Sequence, residues 1–166
     1  LVALRGDRPS GISSSMKIFH ANELVEFIRE VTGDHFHIDI AAYPEIHPES
    51  DSVDTEVKFF KQKVDAGANS AITQYFYNAD AYFRFRDLCD KANIRVPIVP
   101  GIMPITNYNG IKRFSDLCGA EIPRWIEKQL QAYDAKPEAL KAFGEEVVTE
   151  LCHRLLQGGA PGLHFY

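Results

Sequence analysis

Residues able to do chemistry fall in short strings after apolar runs. Arg5-Gly6-Asp7 places a guanidinium and a carboxylate on either side of a glycine. Tyr43, Glu45 and His47 follow a second run, and Gln74 with Tyr75-Phe76-Tyr77 follows a third. Gly101-Ile102-Met103-Pro104 follows a fourth, and His164 and Tyr166 lie in the last. Gln74 is the unusual member, because an amide ending an apolar strand needs partners when buried. Each string also has a structural reading. Arg5 and Asp7 would form an ion pair closing a loop, Tyr43 would be rim packing, and His47 a solvated loop histidine. Tyr75-Phe76-Tyr77 and Trp125 would be packing, Lys63 a surface charge near a helix end, and Asp54, Glu56 and Lys58 a solvated helix face. His35 and His37 share one face of an expected strand without a clear third ligand, so no metal is expected. No G-x-S-x-G nucleophile elbow occurs.

The elements that must position these groups alternate between strand and helix. Strands are expected at 2–4, 36–42, 71–74, 96–100 and 162–166. In the second, Phe36, Ile38, Ile40 and Ala42 recur with period two. A helix is expected over 21–31, capped by Asn22 and stopped at Gly33. Another starts at Asp51 or Ser52 and buries Val53, Val57, Phe60 and Val64. Asn78 caps a third, and 107–132 divides into two at Ile122-Pro123, since the residue before proline avoids helical angles. Pro137 opens the last helix, which stops at Gly158-Gly159. Strands joined through helices pair in parallel. An open doubly wound sheet or a (β/α)8 barrel satisfies that. No G-x-G-x-x-G or Walker motif supports the usual nucleotide-binding open sheets.

The chain has 166 residues, which suits one domain over 1–166. Eighteen basic and 23 acidic side chains give a net charge of -5, which disfavours a nucleic-acid partner. Cys89, Cys118 and Cys152 are too scattered for a disulfide framework or zinc knuckle and suit a reducing cytoplasm. No apolar run approaches the ~20 residues of a membrane span. An expected strand begins at the first residue and another ends at Tyr166, so the chain is expected to be part of a longer protein.

Six strings in order, spread over nearly the whole chain, carry a resemblance. They are Leu4-Arg5-Gly6-Asp7, Ala42-Tyr43-Pro44-Glu45-Ile46-His47-Pro48-Glu49, Lys63-Val64-Asp65-Ala66-Gly67-Ala68-Asn69, Ile72-Thr73-Gln74, Val99-Pro100-Gly101-Ile102-Met103-Pro104 and Pro161-Gly162-Leu163-His164-Phe165-Tyr166. Together they resemble the bacterial type of 5,10-methylenetetrahydrofolate reductases.

The resemblance implies a (β/α)8 TIM barrel, with this chain supplying strands four to eight. It implies FAD at the C-terminal strand ends, with NAD(P)H and methylenetetrahydrofolate using one site in turn in a ping-pong reaction. It also implies a cytoplasmic homo-oligomer serving one-carbon metabolism and methionine biosynthesis. Arg5, Gly6 and Asp7 match flavin-edge positions. His20 and Ala21 fall at FAD contacts, His20 standing where the family has Tyr. Tyr43, His47 and Lys63 match FAD contacts, while Glu56 replaces an Asp and Gln62 an Arg. Asp7, Gln74, Phe114 and Tyr166 match folate-side positions, with Asp7 and Phe114 the expected catalytic pair. Asp7 would stabilise the positive charge of a 5-iminium folate. Phe114 would pack on a flat ring, unless it is plain core. The family's glutamate general acid and a folate-contacting arginine lie outside these residues, so the chain alone is expected to be inactive. Two alternatives remain at this point. One is another FAD barrel of the proline-dehydrogenase type, and the other a non-catalytic interaction module.

Overall fold

The structure is a computed structural model that describes residues 1–4, 20–48 and 50–166. Arg5, Gly6, Asp7 and Glu49 lie outside the described residues. The architecture is α/β with parallel strand pairing. Strands β1 (Val2–Ala3), β2 (Asp39–Ala42), β3 (Ser70–Thr73) and β4 (Ile98–Val99) hydrogen-bond side by side in that order. Strand β5 (Gly101–Ile102) pairs in parallel with β6 (His164–Phe165). Helices α1 (Ala21–Thr32), α2 (Val53–Asp65) and α3 (Ala79–Lys91) fall between successive members of the first four strands. Helices α4 (Tyr108–Cys118), α5 (Arg124–Ala132) and α6 (Pro137–Gln157) separate β5 from β6.

The expected fourth strand is divided in two at Pro100. The β3–β4 ladder ends at Ile72 and Val99. Proline has no N–H to continue it, and the next donor, Gly101 N, goes to the Thr73 side chain at 2.9 Å. The Pro100 carbonyl accepts from His164 N at 3.0 Å, which starts pairing with β6. Gly101 is also a site of close approach. A Cβ there would come within 2.2 Å of the Thr73 carbonyl and 2.7 Å of the Tyr166 ring.

The second strand is shorter than its period-two pattern. Ile38, Ile40 and Ala42 are buried, but Phe36 is exposed and β2 begins only at Asp39. The Ile38 N–H is taken by the Asn69 side chain at 2.8 Å, outside the ladder. His35 and His37 therefore precede the strand. Below them Arg29 of α1 donates to Gly33 O, Phe36 O, Gly67 O and Asn69 Oδ1. Gly67 has φ +112°, a conformation that favours glycine, and the Arg29 side chain packs against it.

Helix ends follow local chemistry. Ser52 Oγ accepts from Thr55 N, and Asn78 Oδ1 accepts from Asp80 N. The first helix differs from expectation: His20, not Asn22, is its N-cap, and Glu23 accepts the His20 N–H at 3.1 Å. The core between helices and sheet is filled by Phe60, Tyr82, Ile126, Leu130 and Leu155, all fully buried. Tyr82 keeps its hydroxyl satisfied by donating to Ile98 O at 2.8 Å. Among the described residues no helix is long and apolar enough to cross a membrane.

Candidate active site at the C-terminal strand ends

Strand β2 ends in a turn that carries Tyr43, Glu45 and His47. The Tyr43 and His47 rings meet edge to face with centroids 4.5 Å apart. Ile46, between Glu45 and His47, has φ +74°. A β-branched residue adopts that region only under constraint, at a cost on the order of 1–3 kcal/mol. Part of the constraint comes from Glu56. Its carboxylate accepts from His47 N at 3.2 Å and from Ser50 Oγ at 2.6 Å. Glu56 is 3% exposed, so the solvated-face reading fails for it. The reason is tertiary: the turn folds over the first half of α2 and brings its own donors to the carboxylate.

Lys63 is also not the surface charge its position suggests. It reaches back from the last turn of α2 to donate to Ala41 O at 2.6 Å. Its ammonium lies 5.7 Å from the centroids of both Tyr43 and Phe60. Burial pulls its pKa down to about 8, with the Glu56 charge opposing the shift. Two aromatic faces and one carbonyl stabilise the cation there.

The remaining strand ends contribute less compact groups. Gln74 is half-buried, and its Oε1 accepts from the next backbone N–H, Tyr75 N, at 3.0 Å. It lines a small recess with Tyr43, Glu45, Tyr75, Cys118 and Ala120. The Tyr166 hydroxyl crosses over Gly101 to donate to Thr73 O at 2.9 Å. Tyr166 thus joins the ends of β6, β5 and β3, while its ring stacks edge to face on His164. Phe114 of α4 is 59% exposed, so it is not plain core. The buried face of that helix is Ile111 and Ser115, and Ser115 Oγ is 3.1 Å from the Tyr75 hydroxyl. Trp125 is likewise exposed, although its ring meets Phe143 edge to face.

The structure therefore brings Tyr43, His47, Glu56 and Lys63 into one cluster, with Gln74 beside Tyr43. His20 and Ala21 lie at the start of α1, with His20 exposed. Glu45 belongs to the site region although its sequence context marks it only as a strand-end carboxylate. It accepts from Glu121 N at 2.8 Å, and burial raises its pKa to about 7. Arg29, which ties the 33–36 and 67–69 segments through three carbonyls and the Asn69 amide, carried no sequence signal, because a carbonyl acceptor can belong to any residue type.

A second group of reactive residue types sits at the opposite end of the same strands. His37 Nε2 is 2.6 Å from Ser70 Oγ, and that hydroxyl donates to Asp39 Oδ1. The Ser, His and Asp are present, but in the wrong order for catalysis. A nucleophilic serine gives its proton to histidine, whereas this one gives it to the carboxylate. Among the described residues no three His, Cys, Asp or Glu side chains are grouped to hold a metal. Cys89, Cys118 and Cys152 are free, and burial pushes the Cys89 thiol up to about 12.

The methylenetetrahydrofolate reductase family model matches residues 1–166. The 5,10-methylenetetrahydrofolate reductase of Buchnera aphidicola subsp. Schizaphis graminum is 42% identical over 166 residues, which is all of this chain and 56% of the relative. That of Escherichia coli is 41% identical, with 55% of the relative covered. Arabidopsis thaliana methylenetetrahydrofolate reductase (NADH) 1 is 38% identical over 179 aligned residues and 30% covered. The chain thus spans about half the length of these bacterial relatives. An uncharacterized protein from Clostridium thermocellum, described as binding two copies of 5-methyl-5,6,7,8-tetrahydrofolic acid, has the same fold at 22% identity. The TM-score is 0.61, with 89% of this chain and 52% of that one covered. The family match over every residue and the relatives near 40% identity agree, and the chain belongs to the methylenetetrahydrofolate reductase family.

Proposed function

We propose that the protein containing this chain reduces 5,10-methylenetetrahydrofolate to 5-methyltetrahydrofolate with NAD(P)H, using FAD held at the C-terminal ends of barrel strands. This chain would contribute strands four to eight of that (β/α)8 barrel. Four parallel pairings that join five successive strand positions, counting β4 and β5 as one, support the reading. Functional groups gather at that end of such barrels.

The observation that carries the proposal is the Tyr43–His47–Lys63 cluster. Its donor set fits a dinucleotide that is both flat and anionic. Tyr43 and His47 bring two aromatic rings together, with centroids 4.5 Å apart. Among the described residues Lys63 spends one donor on Ala41 O, and an ammonium has three. The other two suit a phosphate oxygen. Glu56 contributes indirectly, since its carboxylate is committed to His47 N and Ser50 Oγ. Bound FAD would supply hydride transfer between the nicotinamide and the folate.

On the substrate side Gln74 offers both a donor and an acceptor, which serve a pterin edge or a carboxamide alike. Exposed Phe114 offers a face for a flat ring. Tyr166 braces the strand ends beneath them through Thr73. Asp7, outside the described residues, is assigned the stabilisation of positive charge on the folate.

The test uses the complete protein. It should purify with bound FAD, lose its flavin colour with NADH or NADPH, and regain it on adding methylenetetrahydrofolate. Flavin reduced by proline, or flavin that methylenetetrahydrofolate leaves reduced, would overturn the proposal.

A further inference from the structure

The turn bearing Tyr43 and His47 is held from two sides. Glu56 grips it from α2 through His47 N and Ser50 Oγ. Glu45 holds the other side, accepting the backbone N–H of Glu121 at 2.8 Å. Glu121 lies in the linker between α4 and α5. The same linker is pressed on the turn at Gly119, where an added Cβ would come 3.0 Å from Pro48 Cγ. Helix α4 is also moored to the end of β3 by the Tyr75 and Ser115 hydroxyls, 3.1 Å apart. Phe114 is the residue next to Ser115, on the exposed face. One small recess is lined jointly by Tyr43, Glu45, Gln74 and Cys118, so the turn, the end of β3 and the end of α4 meet there.

We infer that Glu45 is a positioning residue: by tying the 43–48 turn to the linker after α4, it sets the Tyr43 and His47 rings and the Phe114 ring in one geometry. The inference rests on the reading above, in which the first two rings serve the flavin and Phe114 the folate. A strained turn needs such ties, because Ile46 would otherwise relax out of its left-handed conformation.

The charged and titratable groups around Glu45 come from every neighbouring element. Glu121 of the linker repels its charge and Arg84 of α3 attracts it, while the Glu121 N–H favours the carboxylate. Glu56 of α2 lines the same larger recess, and Tyr75 and Cys118 line the smaller one. Burial outweighs the rest and raises the carboxyl to about 7. A Glu45 released to solvent would return toward its ordinary value near 4.5. The docked turn then holds the proton more tightly, so docking is favoured at low pH and weakens as pH rises toward about 7.

The test is made in the complete protein. Glu45→Ala should raise the folate KM roughly 10-fold, the scale of one lost hydrogen bond, and weaken FAD retention, with kcat little changed. Glu45→Gln keeps an acceptor for Glu121 N and should restore KM. Wild-type KM should rise as pH approaches about 7, and Glu45→Gln should lack that rise. Adding Glu45→Ala to Phe114→Ala should change KM little further, because the ring being positioned is gone. Matching pH profiles for wild type and Glu45→Gln would overturn the inference, even if Glu45→Ala fails to fold. A full additional effect in the double variant would overturn it while leaving the function standing. An unchanged KM in Phe114→Ala would remove the substrate reading and the inference with it.

Discussion

Strands β2 and β3 carry reactive side chains at both ends, and the two ends treat them differently. At the N-terminal end His37, Ser70 and Asp39 bond to each other, and Asn69 and Arg29 bond to backbone. The polar groups there are partnered by one another and by neighbouring main chain. At the C-terminal end the Tyr43 and His47 rings meet edge to face, and the Lys63 ammonium lies 5.7 Å from the Tyr43 centroid while donating to Ala41 O. One end uses reactive residue types to fasten helices to strands. The other keeps a cation at a depressed pKa and a strained residue in place. Residue identity alone does not separate the two; the destination of each proton does.

That contrast can be broken by substitution. The largest stability effect is expected from Arg29→Ala, which removes donors from Gly33 O, Phe36 O, Gly67 O and Asn69 Oδ1. A loss of about 2–3 kcal/mol in urea denaturation is expected, with flavin affinity unaltered. A selective loss of flavin without destabilisation would place Arg29 in the site instead.

Lys63→Met should do the reverse. Flavin affinity should fall roughly 10- to 50-fold, as for a lost charge-assisted contact, with little loss of stability near neutral pH. The sign of its pH dependence is also fixed. Lys63 has its folded pKa lowered from 10.5 to about 8, so the unfolded chain binds more protons between those values. Wild-type stability relative to Lys63→Met should therefore rise with pH across that window. Parallel stability curves for the two proteins would contradict the burial of this amine.

Ser70→Ala tests the opposite end. It should cost about 1 kcal/mol and leave folate turnover unchanged. Loss of turnover with normal stability would show that the His37–Ser70–Asp39 cluster is chemical after all. The smallest effect is expected from Tyr166→Phe, which deletes only the bond to Thr73 O. A melting curve should show a decrease equivalent to about 0.5–1.5 kcal/mol, and a rise in folate KM without it would make Tyr166 a direct contact.

Much of the frame is legible in the residues. Period-two apolar spacing marks Ile38, Ile40 and Ala42, and turn chemistry marks Ser52, Asn78 and Pro137. The division of the fourth strand was not legible, because Pro100 could equally end a strand or sit between two pairings. Phe36 followed the alternating pattern and still stayed exposed, since the ladder starts beyond it. In the site, the strings around Tyr43, His47 and Lys63 mark which residues matter. They do not mark what each carboxylate does.

The sequence by itself determined the order of elements, their parallel pairing and the family. These depend on local periodicity, on caps within three residues and on crossover connections, and all are written along the chain. Only the tertiary structure decided that Glu56 is buried rather than solvated, that Lys63 points inward, that Phe114 stands exposed and that Glu45 reaches Glu121. Each of those outcomes depends on a donor, acceptor or ring supplied from elsewhere in the fold. A side chain's burial and proton affinity are set by what closes over it, and that partner has no fixed sequence spacing.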